Sequence, residues 1–182
     1  MEWNVVIGSY GSYNECNERA LGSNWLDLSN YASWEDIKEE LNKEGFELDG
    51  IDEELFVQDC EFLDGSDCEY LHPQKLFEIL KDSGVLDNEY MEDYFEAYME
   101  VNCWRDFVER VESMGEDWTA DIYLYKDYDW EDYGRERFWD YFPSVDKNLE
   151  SELDNFFDFE EYGKYLGQDY VEEYSDGLVE IL

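Results

Sequence analysis

Tyr170-Val-Glu-Glu-Tyr-Ser-Asp-Gly-Leu-Val-Glu-Ile181 is the stretch that decides the fold class. Two short strand-like runs, Tyr170–Tyr174 and Leu178–Ile181, flank Ser175-Asp176-Gly177. Asp-Gly supplies the positive φ angles that a tight turn needs, so the stretch reads as a β-hairpin. Working backwards, Ala120-Asp-Ile-Tyr-Leu-Tyr125 alternates as a further strand. Residues 129–141 read as a helix ended by Pro143, and Leu149–Phe157 and Phe159–Leu166 are shorter helical patterns. The C-terminal third is therefore an antiparallel sheet with helices.

The N-terminal third has the same ingredients. Trp3-Asn-Val-Val-Ile-Gly-Ser-Tyr10 reads as a strand, the stretch from Gly11 to Ser23 as a loop, and Trp25-Leu-Asp-Leu28 as a second strand. Ser33 precedes a helix as N-cap, with Asp36 placed to reciprocate. That helix puts Trp34, Ile37 and Leu41 on one side and ends near Gly45. Glu54-Leu-Phe-Val-Gln-Asp59 is a third strand. The middle reads as helical. After a break at Asp64-Gly65-Ser66-Asp67, Pro73 starts a helix carrying Leu76, Phe77 and Leu80, stopped by Ser83-Gly84. Helices at Asp87–Val101 and Trp104–Met114 follow, the latter with Trp104, Phe107, Val108 and Val111 on one face. The expectation is an α+β protein of three small units: 1–64 (antiparallel sheet plus helix), 65–116 (helical) and 117–182 (antiparallel sheet plus helices).

Charge narrows the function. The 182 residues carry 51 Asp and Glu against 12 Lys and Arg, a net charge of −39. Such a chain lacks the cations that bind nucleic acid and is repelled by anionic lipid. No apolar run is long enough to span a bilayer. Met1-Glu2-Trp3-Asn4 has neither a basic start nor an apolar signal core, so a cytoplasmic location is expected. High charge favours disorder, but 16 Tyr, 11 Phe and 7 Trp can bury large areas, with only two Pro. A folded protein with an almost wholly acidic surface is expected, less stable in low salt through self-repulsion.

Catalytic and metal motifs are weak. Cys16, Cys60, Cys68 and Cys103 form no C-x-x-C pair, and His72 is the sole histidine. Scattered buried thiols are expected rather than zinc or a disulfide framework. Carboxylate pairs suited to glycoside hydrolysis occur by chance among 51 acids. Asp127-Tyr-Asp129-Trp-Glu131-Asp132 resembles half a calcium loop, but Asp132 stands where glycine is required. Gly8-Ser-Tyr-Gly11 is no phosphate cradle, and His72 beside Pro73 reads as a surface or capping residue. No catalytic residue, metal or cofactor is expected, and the protein is read as a non-enzyme.

The acids of the 87–101 helix are the most informative. At about 100° per residue, Glu89, Glu92, Asp93, Glu96 and Glu100 fall in a sector about 100° wide, opposite Tyr90, Met91, Tyr94, Phe95, Tyr98 and Val101. From Glu89 to Glu100 the helix rises roughly 16 Å, or one carboxylate per about 3–4 Å, against one phosphate per ~3.4 Å along a DNA strand. On one helix this is also what an ordinary solvated face looks like. Across the chain, the net charge matches that of about 66 Å of duplex, roughly 20 base pairs. An elongated array of carboxylates standing in for phosphates is the sharper reading.

Specific residues carry a likeness. Val5-Val-Ile-Gly-Ser-Tyr-Gly-Ser-Tyr13-Asn14-Glu15, Gly22-Ser-Asn-Trp25-Leu-Asp27-Leu28 and Phe56-Val-Gln58-Asp59-Cys-Glu61 resemble the start of ArdA-type antirestriction proteins. In that family a strand leads to a Tyr-Asn turn, a Gly-x-Trp strand, a capped helix and a (His/Gln)-Asp-x-Glu strand; Cys60 stands where an aromatic is usual. Asn155-Phe-Phe-Asp158-Phe-Glu-Glu-Tyr-Gly163-Lys-Tyr-Leu166 and Gly177-Leu-Val-Glu-Ile181 are similar to its end. The middle matches only in being acidic and helical. The family-motif residues here are Tyr13, Asn14, Trp25, Asp27, Asp59, Glu61, Asp158 and Gly163.

The resemblance implies an elongated, three-part DNA mimic carried by mobile genetic elements. It implies a homodimer joined through the C-terminal unit, acting in the host cytoplasm against the methyltransferase–specificity complex of Type I restriction–modification enzymes. The implied mechanism is competitive occupancy of the DNA groove. A mimic already curved avoids the ~1–6 kcal/mol that bending a 20–30 bp site costs. Two alternatives remain: a mimic aimed at another defence nuclease, such as a CRISPR effector, and a salt-adapted acidic enzyme.

Overall fold

Three strands, β1 (Asn4–Ser9), β2 (Leu26–Asp27) and β3 (Leu55–Cys60), form an antiparallel sheet in the order β2-β1-β3. This is a computed structural model, describing residues 1–63 and 71–182. The expected break at Asp64–Asp67 lies outside those residues. Contacts group the described chain into two compact units, Met1–Asp93 with Cys103–Trp118, and Tyr94–Asn102 with Thr119–Leu182. The helices expected at 65–116 are distributed between both. The protein is α+β, as expected.

In the first unit Val5, Ile7, Val57 and Leu26 are buried, as are Ile37 and Leu41 of α2 (Trp34–Lys43). Ser33 and Asp36 complete the expected capping box. Register shifts between Val6 and Ile7, a β-bulge. Two expectations fail locally. The strand ending at Tyr10 and the loop after it give way to a short helix, α1 (Tyr10–Glu15). The Ser9 hydroxyl caps it by accepting from the Ser12 amide at 3.2 Å, and Cys16 closes it in the left-handed region at φ 50°. Gly11 serves close packing there: a Cβ would stand 1.8 Å from the Ile51 carbonyl oxygen. The Trp25–Leu28 strand shortens to two residues because Asp27 turns the chain into a 3₁₀ helix at Leu28–Asn30, accepting from the Ser29 amide at 3.0 Å.

Helix α3 (Pro73–Asp82) starts at Pro73, as expected, and buries Leu76, Phe77, Ile79 and Leu80. Helix α4 (Glu89–Val101) follows, then α5 (Trp104–Met114), which buries Trp104, Phe107 and Val111. Phe107 meets Trp118 edge-on at 5.1 Å, and the Trp118 indole donates to the Ser83 carbonyl at 2.9 Å.

The second unit contains β4 (Ile122–Lys126), β5 (Val171–Tyr174) and β6 (Gly177–Ile181), antiparallel in the order β4-β6-β5. The hairpin is present, with Tyr174 opposite Gly177. Its turn differs from the expected one in that Gly177 (φ 144°), and not Asp176, has positive φ. Glycine is needed there because a Cβ would stand 2.2 Å from the Tyr125 carbonyl oxygen of β4. Helices α6 (Trp130–Tyr141), α7 (Glu150–Phe156) and α8 (Phe159–Gly167) complete the unit. Helices α6 and α8 cross backbone to backbone. A Cβ on Gly134 would meet the Phe159 carbonyl oxygen at 2.0 Å, and one on Gly163 the Trp130 carbonyl oxygen at 2.2 Å. The apolar cluster of Tyr133, Val171 and Leu178 packs under Tyr125, Trp130, Leu166 and Tyr170.

The cysteines do not fit the expected set of buried free thiols. Cys16 is free but exposed, Cys103 is free and half-buried, and Cys60 is disulfide-bonded, while Cys68 lies outside the described residues. Spacing rules test for metal and redox motifs and are blind to pairing set by tertiary proximity. Among the described residues no helix is long and apolar enough to cross a membrane.

Candidate functional site

The carboxylates separate by whether protein donors already hold them. Only Asp52 and Glu180 are buried among the described acids. Most basic side chains are taken up locally: Lys38, Lys43, Lys75, Lys81, Arg105, Arg135, Arg137 and Lys164 all lie in ion pairs. The remaining surface carboxylates greatly outnumber the cations.

Helix α4 carries the expected acid row, with its five members in different surroundings. Glu89 and Glu96 are exposed. Glu92 is half-buried: it accepts from the Met1 α-ammonium at 2.6 Å and from the Trp3 indole at 3.3 Å. Asp93 is also half-buried. Glu100 accepts from the Ser175 amide and hydroxyl, both at 2.7 Å, and so caps the hairpin turn. Opposite the row, Phe95 and Tyr98 are buried, whereas Tyr90 is exposed. Glu92 and Glu100 therefore support the fold as well as carrying charge.

The motif residues also divide. Asp27 caps the 3₁₀ turn, accepting from Ser29 and from the Asn30 amide group at 3.0 Å. Asp158 caps α8, accepting from the Glu161 amide at 3.0 Å. Glu61 accepts from Asn4 at 2.7 Å, and Gly163 is the helix-crossing residue. Tyr13, Asn14, Trp25 and Asp59 are exposed. Tyr13 and Asn14 lie in α1 rather than in a turn.

Sequence reasoning missed two polar clusters. In the first unit, Asp52 accepts from the Ser12 hydroxyl and from the Glu47 amide at 2.8 Å, and Asn17 donates to the Ser12 hydroxyl at 3.0 Å. Burial acts to raise the Asp52 pKa, but bonds from Ser12, Ser9 and the Glu47 amide outweigh it, so the pKa is lowered. In the second unit, Glu180 on β6 accepts from Arg137 and from the Tyr125 hydroxyl at 2.7 Å. The Arg137 guanidinium lies 5.1 Å from the Tyr133 ring centroid and 5.6 Å from that of Tyr125. Burial, with Glu180 as hydrogen-bond partner, pushes the Tyr125 pKa up. The available signal was an acid inside the apolar run Leu178-Val-Glu-Ile181, which demands a buried partner.

Asp129 of the half calcium loop caps α6 by accepting from the Asp132 amide at 2.9 Å, and Glu131 pairs with Arg135 at 2.8 Å. Among the described residues no group of three or more His, Cys, Asp or Glu is arranged to hold a metal ion. His72 occupies the N-cap position of α3 and makes no side-chain cap bond.

No protein-family model matches the chain, and no curated protein matches it.

Proposed function

We propose that the protein is a DNA mimic that occupies the DNA-binding groove of Type I restriction–modification enzymes and blocks restriction. The observation that carries the reading is the sorting of charge. Of the described acids only Asp52 and Glu180 are withdrawn from solvent, while two aromatic-rich cores hold the rest on a folded scaffold. Lys and Arg of a DNA groove would pair with these carboxylates and release counterions, as they do on phosphate. The working form is a homodimer joined through the C-terminal part, in the host cytoplasm.

The test adds the protein to a purified Type I methyltransferase–specificity complex with labelled DNA bound. Displacement of the DNA, weakening as salt rises, is the expected result. Undiminished DNA binding at saturating protein overturns the proposal. Neutralising Glu89, Glu92, Asp93, Glu96 and Glu100 together should weaken inhibition. The exposed pair Glu89→Gln and Glu96→Gln separates surface charge from the structural duties of Glu92 and Glu100.

A further inference from the structure

A surface pocket in the first unit is lined by Tyr10, Glu53, Glu54, Leu55, Phe56 and His72. Its wall is a stacked aromatic pair, Tyr10 on Phe56, with centroids 4.5 Å apart and planes at 28°. The pair is held from behind. Phe56 is the cross-strand partner of Gly8, and a Cβ on Gly8 would stand 2.6 Å from the Phe56 ring, so the ring lies across bare backbone. Tyr10 is the first residue of α1, and its amide donates to the Glu54 carbonyl at 3.0 Å. Tyr10 remains 38% exposed, so part of its ring is open to solvent. Leu55 is buried, whereas Glu53 and Glu54 are exposed and carry the pocket's negative charge. No Lys or Arg stands among the described residues lining it.

We infer that this pocket receives the guanidinium of an arginine from a basic partner protein, an inference that rests on the proposed mimicry and gives it a localised anchor. A guanidinium is flat, weakly hydrated and forked. It stacks on an aromatic face while its N–H groups reach a carboxylate. An ammonium group matches only the charge. In the second unit the same kind of site is already filled from within: Arg135 lies 4.4 Å from the Phe159 ring centroid and pairs with Glu131 and Asp154. The Tyr10–Phe56 pocket has its carboxylates and fixed aromatic face with no such cation among its described lining residues. The pocket therefore prefers arginine to lysine, which charge alone would not.

The experiment titrates the full-length, isotope-labelled protein with acetyl-Gly-Arg-Gly-amide, and separately with its lysine and citrulline counterparts, followed by NMR. The arginine peptide is expected to move the resonances of Tyr10, Phe56 and residues 53–55 first, with the lysine peptide about threefold weaker there and citrulline silent. Glu53→Gln with Glu54→Gln, and separately Tyr10→Leu, should each weaken the arginine response about threefold or more, with dispersed spectra confirming the fold. The control pair Glu39→Gln with Asp49→Asn should leave it unchanged. Shifts spread evenly over the acidic surface, equal arginine and lysine responses, or an unaltered response in the Glu53/Glu54 variant would overturn the inference. DNA displacement by wild-type protein reads the mimicry independently: its loss with an intact peptide response removes the mimicry alone, and the reverse removes the pocket alone.

Discussion

Replacing Gly163 by alanine sets two opposed effects against each other. Alanine in a helix interior is favoured over glycine by about 0.8–1.0 kcal/mol, which alone would stabilise α8. Against this, the new methyl would stand 2.2 Å from the Trp130 carbonyl oxygen, 3.0 Å from the Gly134 amide nitrogen and 3.2 Å from its Cα. These are backbone atoms of α6, so no rotamer change relieves them. The helices must separate by more than an ångström to restore ordinary contact, disturbing the Tyr133–Val171–Leu178 cluster beneath. Overpacking of this kind costs about 1–3 kcal/mol and occasionally more. Rigid neighbours place the site at the upper end, so the net loss is about 2 kcal/mol. For a chain of this size that corresponds to a fall in Tm of roughly 4–8 °C. Urea and thermal unfolding followed by tryptophan fluorescence provide the assay. Gly50→Ala is the control, since its Cβ would meet nothing closer than 3.5 Å. An unchanged or raised midpoint for Gly163→Ala would mean that the helix crossing is looser than described.

Asp52→Asn should destabilise the first unit near neutral pH, and the gap between variant and wild type should close on acidification. The folded pKa of Asp52 is lowered, so its contribution is present above the unfolded value of about 3.9 and is lost as pH falls through the folded value. Urea midpoints from neutral pH down into that acid range measure the gap. Glu180→Gln should cost about 3 kcal/mol by leaving Arg137 without its buried counter-charge, and adding Arg137→Met should recover much of the loss. Denaturant titration of the single and double variants checks the coupling. Raising salt from about 0.01 M to about 0.5 M should lift the unfolding midpoint, because screening relieves self-repulsion. A midpoint indifferent to salt would show that the carboxylates do not strain the fold.

Local rules made most of the fold legible. Pro73 opens a helix, Ser33 and Asp36 close a capping box, and the apolar periodicity of Trp104–Met114 gives its buried face. These signals act over a few residues and need no tertiary partner. What escaped depends on distant backbone. Gly11-Ser12-Tyr13-Asn14 has loop composition, yet Ser9 and Cys16 cap it into a helix whose glycine must clear Ile51. Periodicity placed the α4 acids on one face, but could not show that Glu92 meets the Met1 ammonium or that Glu100 meets Ser175. Asp52 was submerged in a composition where acids are everywhere, whereas Glu180 stood out only against the apolar residues on either side of it, a contrast that a count of acids hides.

The structural duties of the acids bear on the proposed mimicry. Asp27, Asp36, Asp129, Asp158 and Glu100 each accept backbone amide hydrogens through one or both oxygens. Such a carboxylate keeps its negative charge while losing rotamer freedom on folding. A free surface glutamate instead loses that freedom on binding, at about 0.5–1.5 kcal/mol per immobilised side chain. Phosphates of a duplex are likewise fixed before any protein arrives. Capping acids thus serve the fold and pre-set part of an anionic surface together, whereas Glu89 and Glu96 supply charge that is ordered only on contact. Under the proposed reading, Asp158→Asn should therefore reduce inhibition more than Glu96→Gln, even where unfolding midpoints are matched by solution conditions. Equal losses in a DNA-displacement assay would show that charge count alone sets the affinity and that fixing the carboxylates adds nothing.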